Sequence, residues 1–138
     1  MKITIFIASC IMLLIFNSCS DDKSNPVNSE IDFNYFYKSW TNSYEEQTLN
    51  EPTKIFRPSD YQGFPAAWYR ETLIFNQDNT CSYLILDSND AHYFQDGKWN
   101  LADQGKIIIT MLDSTNTIYK KFQVTELKQD ILKFIIVD

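Results

Sequence analysis

The chain has 138 residues, with 12 Lys and Arg against 18 Asp and Glu, a formal charge of −6. So acidic a chain is a poor polyanion binder, because phosphate contacts need clustered Lys and Arg. Nucleic acid is therefore excluded as a partner. Only three glycines occur, and none sits in a phosphate-cradling loop.

Lys2 opens the chain with a positive charge, and Ile3 to Phe16 follow as an almost unbroken apolar run. That run is shorter than the about 20 residues a helix needs to cross a hydrocarbon core. A charged start, a short apolar run and a small residue before a cut read as a signal peptide over residues 1–18. Asn17-Ser18-Cys19 closes the run and resembles a lipobox, where a cysteine thiol receives a diacylglyceryl group before cleavage. Ile7-Ala8-Ser9-Cys10 fits that motif better in residue type. Cutting at Cys10 would leave too short an apolar region and strand Ile11 to Phe16 on the mature protein, so Cys19 is the expected lipidation site. Ser20-Asp21-Asp22 then resembles the acidic export tag of surface lipoproteins in Bacteroidota. The resemblance implies an outer-membrane lipoprotein, with the outward orientation left open. Each buried CH₂ contributes about 0.8 kcal/mol, so several acyl chains would hold the protein to the membrane.

Residues 19–35 read as a lipidated flexible tether, polar and containing Pro26, with a random-coil span of about 20 Å. Residues 36–138 are the expected domain, enough for one core of ordinary size. Short β-prone runs follow one another: Tyr37 to Gln47 with Trp40 and Tyr44 on one face, Thr53 to Arg57, Trp68 to Phe75, and Cys81 to Leu86. Tyr93 to Leu101, interrupted near Gly97, then Ile107 to Leu112, Ile118 to Leu127 and Ile131 to Val137 complete eight predicted strands. No apolar pattern of helical period runs between them. The connections at 76–79, 103–105, 113–116 and 128–130 are short and end in Gly, Asn or Asp, residues that readily adopt a left-handed backbone. Successive strands are thus expected to pair antiparallel, in an all-β, up-and-down eight-stranded barrel that leaves no free edge. An open meander or a β-sandwich is the alternative. A barrel of this size either holds one small ligand or is filled by side chains.

Several motifs in order resemble the lipocalin-like domains of secreted lipoproteins in the same bacteria. They are Trp40 in the first strand, Arg57-Pro58 followed by Phe64-Pro65, and Arg70 ahead of Phe75 and the Asp78-Asn79 turn. Gly97-Lys98-Trp99 and the closing hairpin from Val124-Thr125-Glu126-Leu127 to Ile131-Leu132-Lys133-Phe134 continue the series. The resemblance spans roughly residues 36 to 137 and departs at Asn79, where Gly is usual, and at Ala66-Ala67-Trp68. It implies a fold much more than a function.

Catalytic chemistry finds little support in the residues. His92 is the only histidine, too few for a metal site beside the flexible acids of 87–90, and that segment lacks the Gly and Glu of a calcium loop. No strained Ser turn accompanies it. Glu45, Glu46 and Glu71 are the nearest carboxylates to a pair, and neighbours on a strand point to opposite faces. Cys81 reads as a small core residue, and Lys120-Lys121 as a solvated strand face. Neither an enzyme, a metal nor a cofactor is expected.

The aromatic content, 15%, is the one feature that stands above an ordinary chain, and most such rings fill β cores. Trp40, Tyr44, Trp68, Tyr83 and Trp99 are candidates to line a cavity or rim, against the alternative that they fill the core. Arg57 and Arg70 could clamp a carboxylate or cover the barrel mouth, unless Glu45, Glu46, Asp60 or Glu71 neutralises them. The expected function is a lipid-anchored envelope module binding a small hydrophobic or sugar ligand, or else a protein-interaction or inhibitor module at the cell surface. An open cavity would favour the first, and a filled barrel with an exposed aromatic patch the second.

Overall fold

A computed structural model describes residues 31–103 and 106–138, with the side chain of Asp103 set aside. The expected signal peptide over residues 1–18, Cys10, the expected lipidation site Cys19 and the acidic stretch after it lie outside the described residues. Eight strands form: β1 (Ser39–Asn42), β2 (Thr53–Pro58), β3 (Thr72–Phe75), β4 (Thr80–Leu86), β5 (His92–Asp103), β6 (Ile107–Leu112), β7 (Ile118–Lys128) and β8 (Ile131–Ile136). They close into one antiparallel barrel in the order β1-β2-β8-β7-β6-β5-β4-β3. The eight-stranded barrel expected from the sequence is therefore the fold, and the meander and sandwich alternatives fall.

One connection departs from the sequential order. Strand β1 lies between β2 and β3 and pairs antiparallel with both, while β2 pairs with β8. Strands β2 and β3 are thus parallel, and residues 59–71 must travel back along the barrel between them. They cross the outer face of β1. Ser59 N–H donates to Ser39 O at 3.0 Å, and the Ser59 hydroxyl meets those of Ser39 at 2.6 Å and Thr41 at 2.7 Å. This strap buries Thr41 on the side of β1 that would otherwise face solvent.

Local chemistry sets the strand ends. Asn79 and Asn116 take φ of 65° and 62° in their hairpin turns, a left-handed backbone that Asn tolerates far better than most side chains. Asn79 thereby does what a glycine would do there. The Asp78 and Asp113 carboxylates accept backbone N–H groups from Thr80 and Thr115 at 2.9 and 2.8 Å, pinning each turn. Asp130 does not follow the expected pattern: the left-handed non-glycine residues include Asp90 and Asn50 but not Asp130. Strand β5 is longer than predicted and runs through Gly97 without a break. A Cβ at Gly97 would lie 2.1 Å from Leu112 O, so glycine permits β5 and β6 to approach and does not interrupt the strand.

Two predicted strands shorten, one at the β1–β2 connection and one at the strap. The first ends at Asn42, and Tyr44–Glu46 turn into a short 3₁₀ helix, so Tyr44 does not share a strand face with Trp40. The third begins at Thr72, leaving Trp68 and Tyr69 in the strap. Packed structure also reaches back before Phe36, because Ile31 and Phe33 lie against the core. Phe36 seals that end of the barrel, stacked on Phe75 at 4.1 Å between ring centroids and edge-on to Trp99 at 5.2 Å.

Candidate functional site

Alternation along the strands decides what faces inward. Trp40, Phe56, Leu73, Phe75, Cys81, Tyr83, Trp99, Ile109, Met111, Phe122, Leu132 and Phe134 are all buried in one cluster. Among the described residues the barrel is filled by side chains, which leave no deep calyx along its axis.

The sequence-predicted site residues are consequently scattered. Trp40 is fully buried and its indole N–H donates to Phe36 O at 3.0 Å. Trp99 is buried as well, donating to Asn76 O at 3.1 Å. Tyr83 is inside too, and among the described residues its hydroxyl meets no partner within hydrogen-bond geometry. These three rings fill the core. Trp68 and Tyr44 are exposed but stand apart in role. Trp68 meets His92 edge-on at 5.0 Å on the outer wall, while Tyr44 lies under the Arg70 guanidinium at 4.6 Å.

Both arginines are committed to acids within the fold. Arg57 pairs with Glu46 at 2.6 Å and Asp130 at 3.1 Å. Its hydrogen bond to Glu46 is the main reason that carboxyl falls from its ordinary 4.5 to about 2. Arg70 pairs with Glu45, whose carboxyl it likewise lowers, and donates to Asn42 O at 3.1 Å and Pro65 O at 2.7 Å. Held between the Tyr44 and Phe64 rings, Arg70 staples the strap to the β1–β2 connection. Neither arginine is left to clamp a ligand or cover the mouth, because each is neutralised locally. Cys81 is buried, and burial pushes its thiol up to about 11, as expected of a packing residue.

The opposite end of the barrel from Phe36 is open. A groove of about 440 Å³ there is lined by Lys54, Glu71, Tyr119, Lys120, Ile136 and their neighbours. Lys54 shares the face of fully buried Phe56 and lies opposite Phe134 in the β2–β8 register. Lys120 shares the face of Phe122 and lies opposite Met111. Glu71 precedes inward-facing Leu73 by two residues, and its carboxylate pairs with the Lys120 ammonium across the opening. A register shift at Met111/Leu112 lets Tyr119 turn inward beside Lys120. Its ring stacks on Tyr83 at 3.8 Å and 15°, and burial raises its hydroxyl to about 12. The expectation of a solvated Lys120-Lys121 face thus fails for Lys120. Strand alternation from Phe122 places it inward, but only the barrel register reveals the facing Glu71.

A second surface lies on the outer wall of β4 and β5. Leu86 pairs with His92 there, one step from the Leu84–Phe94 pair, and Trp68 covers His92 from the strap. Leu86, Phe94 and Trp68 are all exposed, Trp68 by 67%. Among the described residues no three His, Cys, Asp or Glu side chains converge as a metal site would require. Compared with family models, with curated proteins and with solved structures, the chain matches none, so the site rests on its own geometry.

Proposed function

We propose that this chain is a lipid-anchored, non-enzymatic binding module of the cell envelope, attached to the outer membrane through Cys19, that takes a small ligand at the open end of a filled lipocalin-like barrel. The observation carrying this reading is the contrast between a packed interior and the groove lined by Lys54, Glu71, Tyr119, Lys120 and Ile136. A filled interior limits any ligand to the mouth. Its volume of about 440 Å³ falls in the range of small-ligand sites, about 300–1,000 Å³. Residues 31–38 enter at the sealed end, so a lipid on Cys19 would favour a mouth turned away from the membrane. The reading calls for no cofactor.

The outer wall supports a second reading, a protein-interaction or inhibitor module at the cell surface. Clustered exposed Trp68, Leu86 and Phe94 beside His92 are the kind of apolar surface that monomers seldom display without a partner.

Two measurements test these readings. Intact-mass analysis of the membrane-bound mature chain should show a diacylated Cys19; an unmodified terminus, or one beginning at Cys10, removes the anchor. Amide-shift mapping with the small-molecule fraction of an envelope extract should perturb Tyr119, Lys120 and Ile136. Shifts confined to Phe94 and His92, elicited only by the macromolecular fraction, would replace the first reading with the second.

A further inference from the structure

The mouth has a charge pattern that narrows the ligand. Inward positions on a barrel strand are apolar by default, since a charge there loses water and needs a partner. Glu71 has such a partner in Lys120. Lys54, half-buried on the same inward face as Phe56, forms no ion pair among the described residues. Lys121 is turned toward Asp138, donating to its backbone oxygen at 2.7 Å. The groove side chains therefore set three ammonium groups, Lys54, Lys120 and Lys121, against the carboxylates of Glu71 and Asp138. Lys120 is taken by Glu71 and Lys121 by Asp138, so of the three only Lys54 meets no acid or carbonyl among the described residues.

Beside these charges the groove carries an apolar edge. Ile118 and Ile136 remain 61% and 48% exposed at its edges, with Val137 beside them. One face of the Tyr119 ring is already stacked on Tyr83, which reduces the platform a sugar would use. Phe56, Phe122 and Phe134 fill the barrel interior on the same strands, so an alkyl chain would lie across the mouth and not descend the axis.

Resting on the mouth-binding reading, we propose that the groove binds a short amphiphilic acid, its anionic head on the Lys54 ammonium and its apolar part against Ile118, Ile136 and Val137. The head supplies the counter-charge that Lys54 does not find among the described residues, and the alkyl part covers the exposed isoleucines.

Calorimetry on the mature chain in nanodiscs, with empty discs as blank, tests this with octanoate, acetate and octylammonium. Octanoate should bind, acetate at least tenfold more weakly, and octylammonium not at all. Lys54→Met should weaken octanoate at least tenfold, whereas Lys98→Met, an exposed change on β5, should leave it unchanged; thermal melts check that both variants are folded. Equal binding of octylammonium, or full octanoate affinity in Lys54→Met, overturns the proposal. If octanoate fails while the envelope extract still shifts Tyr119, Lys120 and Ile136, the acid ligand falls and mouth binding stands. If neither moves those amides, both fall.

Discussion

The two ends of this barrel are built from the same alternating strands and reach opposite outcomes. At one end Phe36 folds in from the N-terminal segment, packing on Phe75 and Trp99, and the backbone carbonyl of Phe36 accepts the Trp40 indole N–H. At the other end the inward positions are Lys54, Glu71 and Lys120. Sealing an end takes aromatic volume whose polar atoms find partners; keeping one open takes charges that resist burial. The difference teaches that the polar mouth is not a frayed barrel end, because its charged residues continue the same inward rows as Phe56, Leu73 and Phe122.

The sharpest break of that contrast is at the sealed end. Phe36→Ala removes a fully buried ring and should cost about 3–5 kcal/mol in denaturant unfolding; a loss below about 1 kcal/mol would mean that the end is not packed. Gly97→Ala comes next. With its Cβ directed at a backbone carbonyl of β6, the strain should cost about 1–3 kcal/mol and leave the strand order intact.

The outer ion pairs should matter less. Glu46→Gln ought to cost under about 1 kcal/mol at neutral pH, as partly exposed pairs usually do. Its signature is the pH dependence. Because the Glu46 carboxyl lies near 2 in the fold against an ordinary 4.5, its contribution is full above about 4.5 and is lost as pH falls toward 2. Acid titrations of the parent and of Glu46→Gln should therefore diverge above that window and converge below it. The smallest effect is at the mouth. Lys54→Met should leave stability unchanged or raise it by up to about 1 kcal/mol, since it removes an inward charge that forms no ion pair among the described residues. A clear destabilisation would instead make Lys54 a structural residue and erase the distinction between the two ends.

Much of the fold was legible in the sequence because β periodicity is local. Six of the predicted runs, from Thr53 to Arg57 and from Cys81 onward, match β2 and β4–β8 within about two residues at each end, the usual latitude of such boundaries. The strap was not legible. Trp68 and Tyr69 have strand-prone side chains, and only the placement of β1 between β2 and β3 diverts them across its outer face. The site was less legible still. Aromatic residues and arginines draw the eye, yet Trp40, Tyr83 and Trp99 fill the core, and Arg57 and Arg70 are neutralised by Glu46, Asp130 and Glu45. Lys54 and Glu71 carry no local signal, because a lone lysine and a lone glutamate are ordinary in any strand.

Composition, strand period and turn residues by themselves determined the all-β class, the strand count and the closing hairpins, since each depends on residues near one another in the chain. Tertiary structure alone decided that the barrel is filled, that one end is sealed and that Lys54, Glu71 and Lys120 meet at the other. These outcomes depend on register between strands far apart in sequence, where a shift of one residue would exchange inward and outward faces. No local pattern specifies that register.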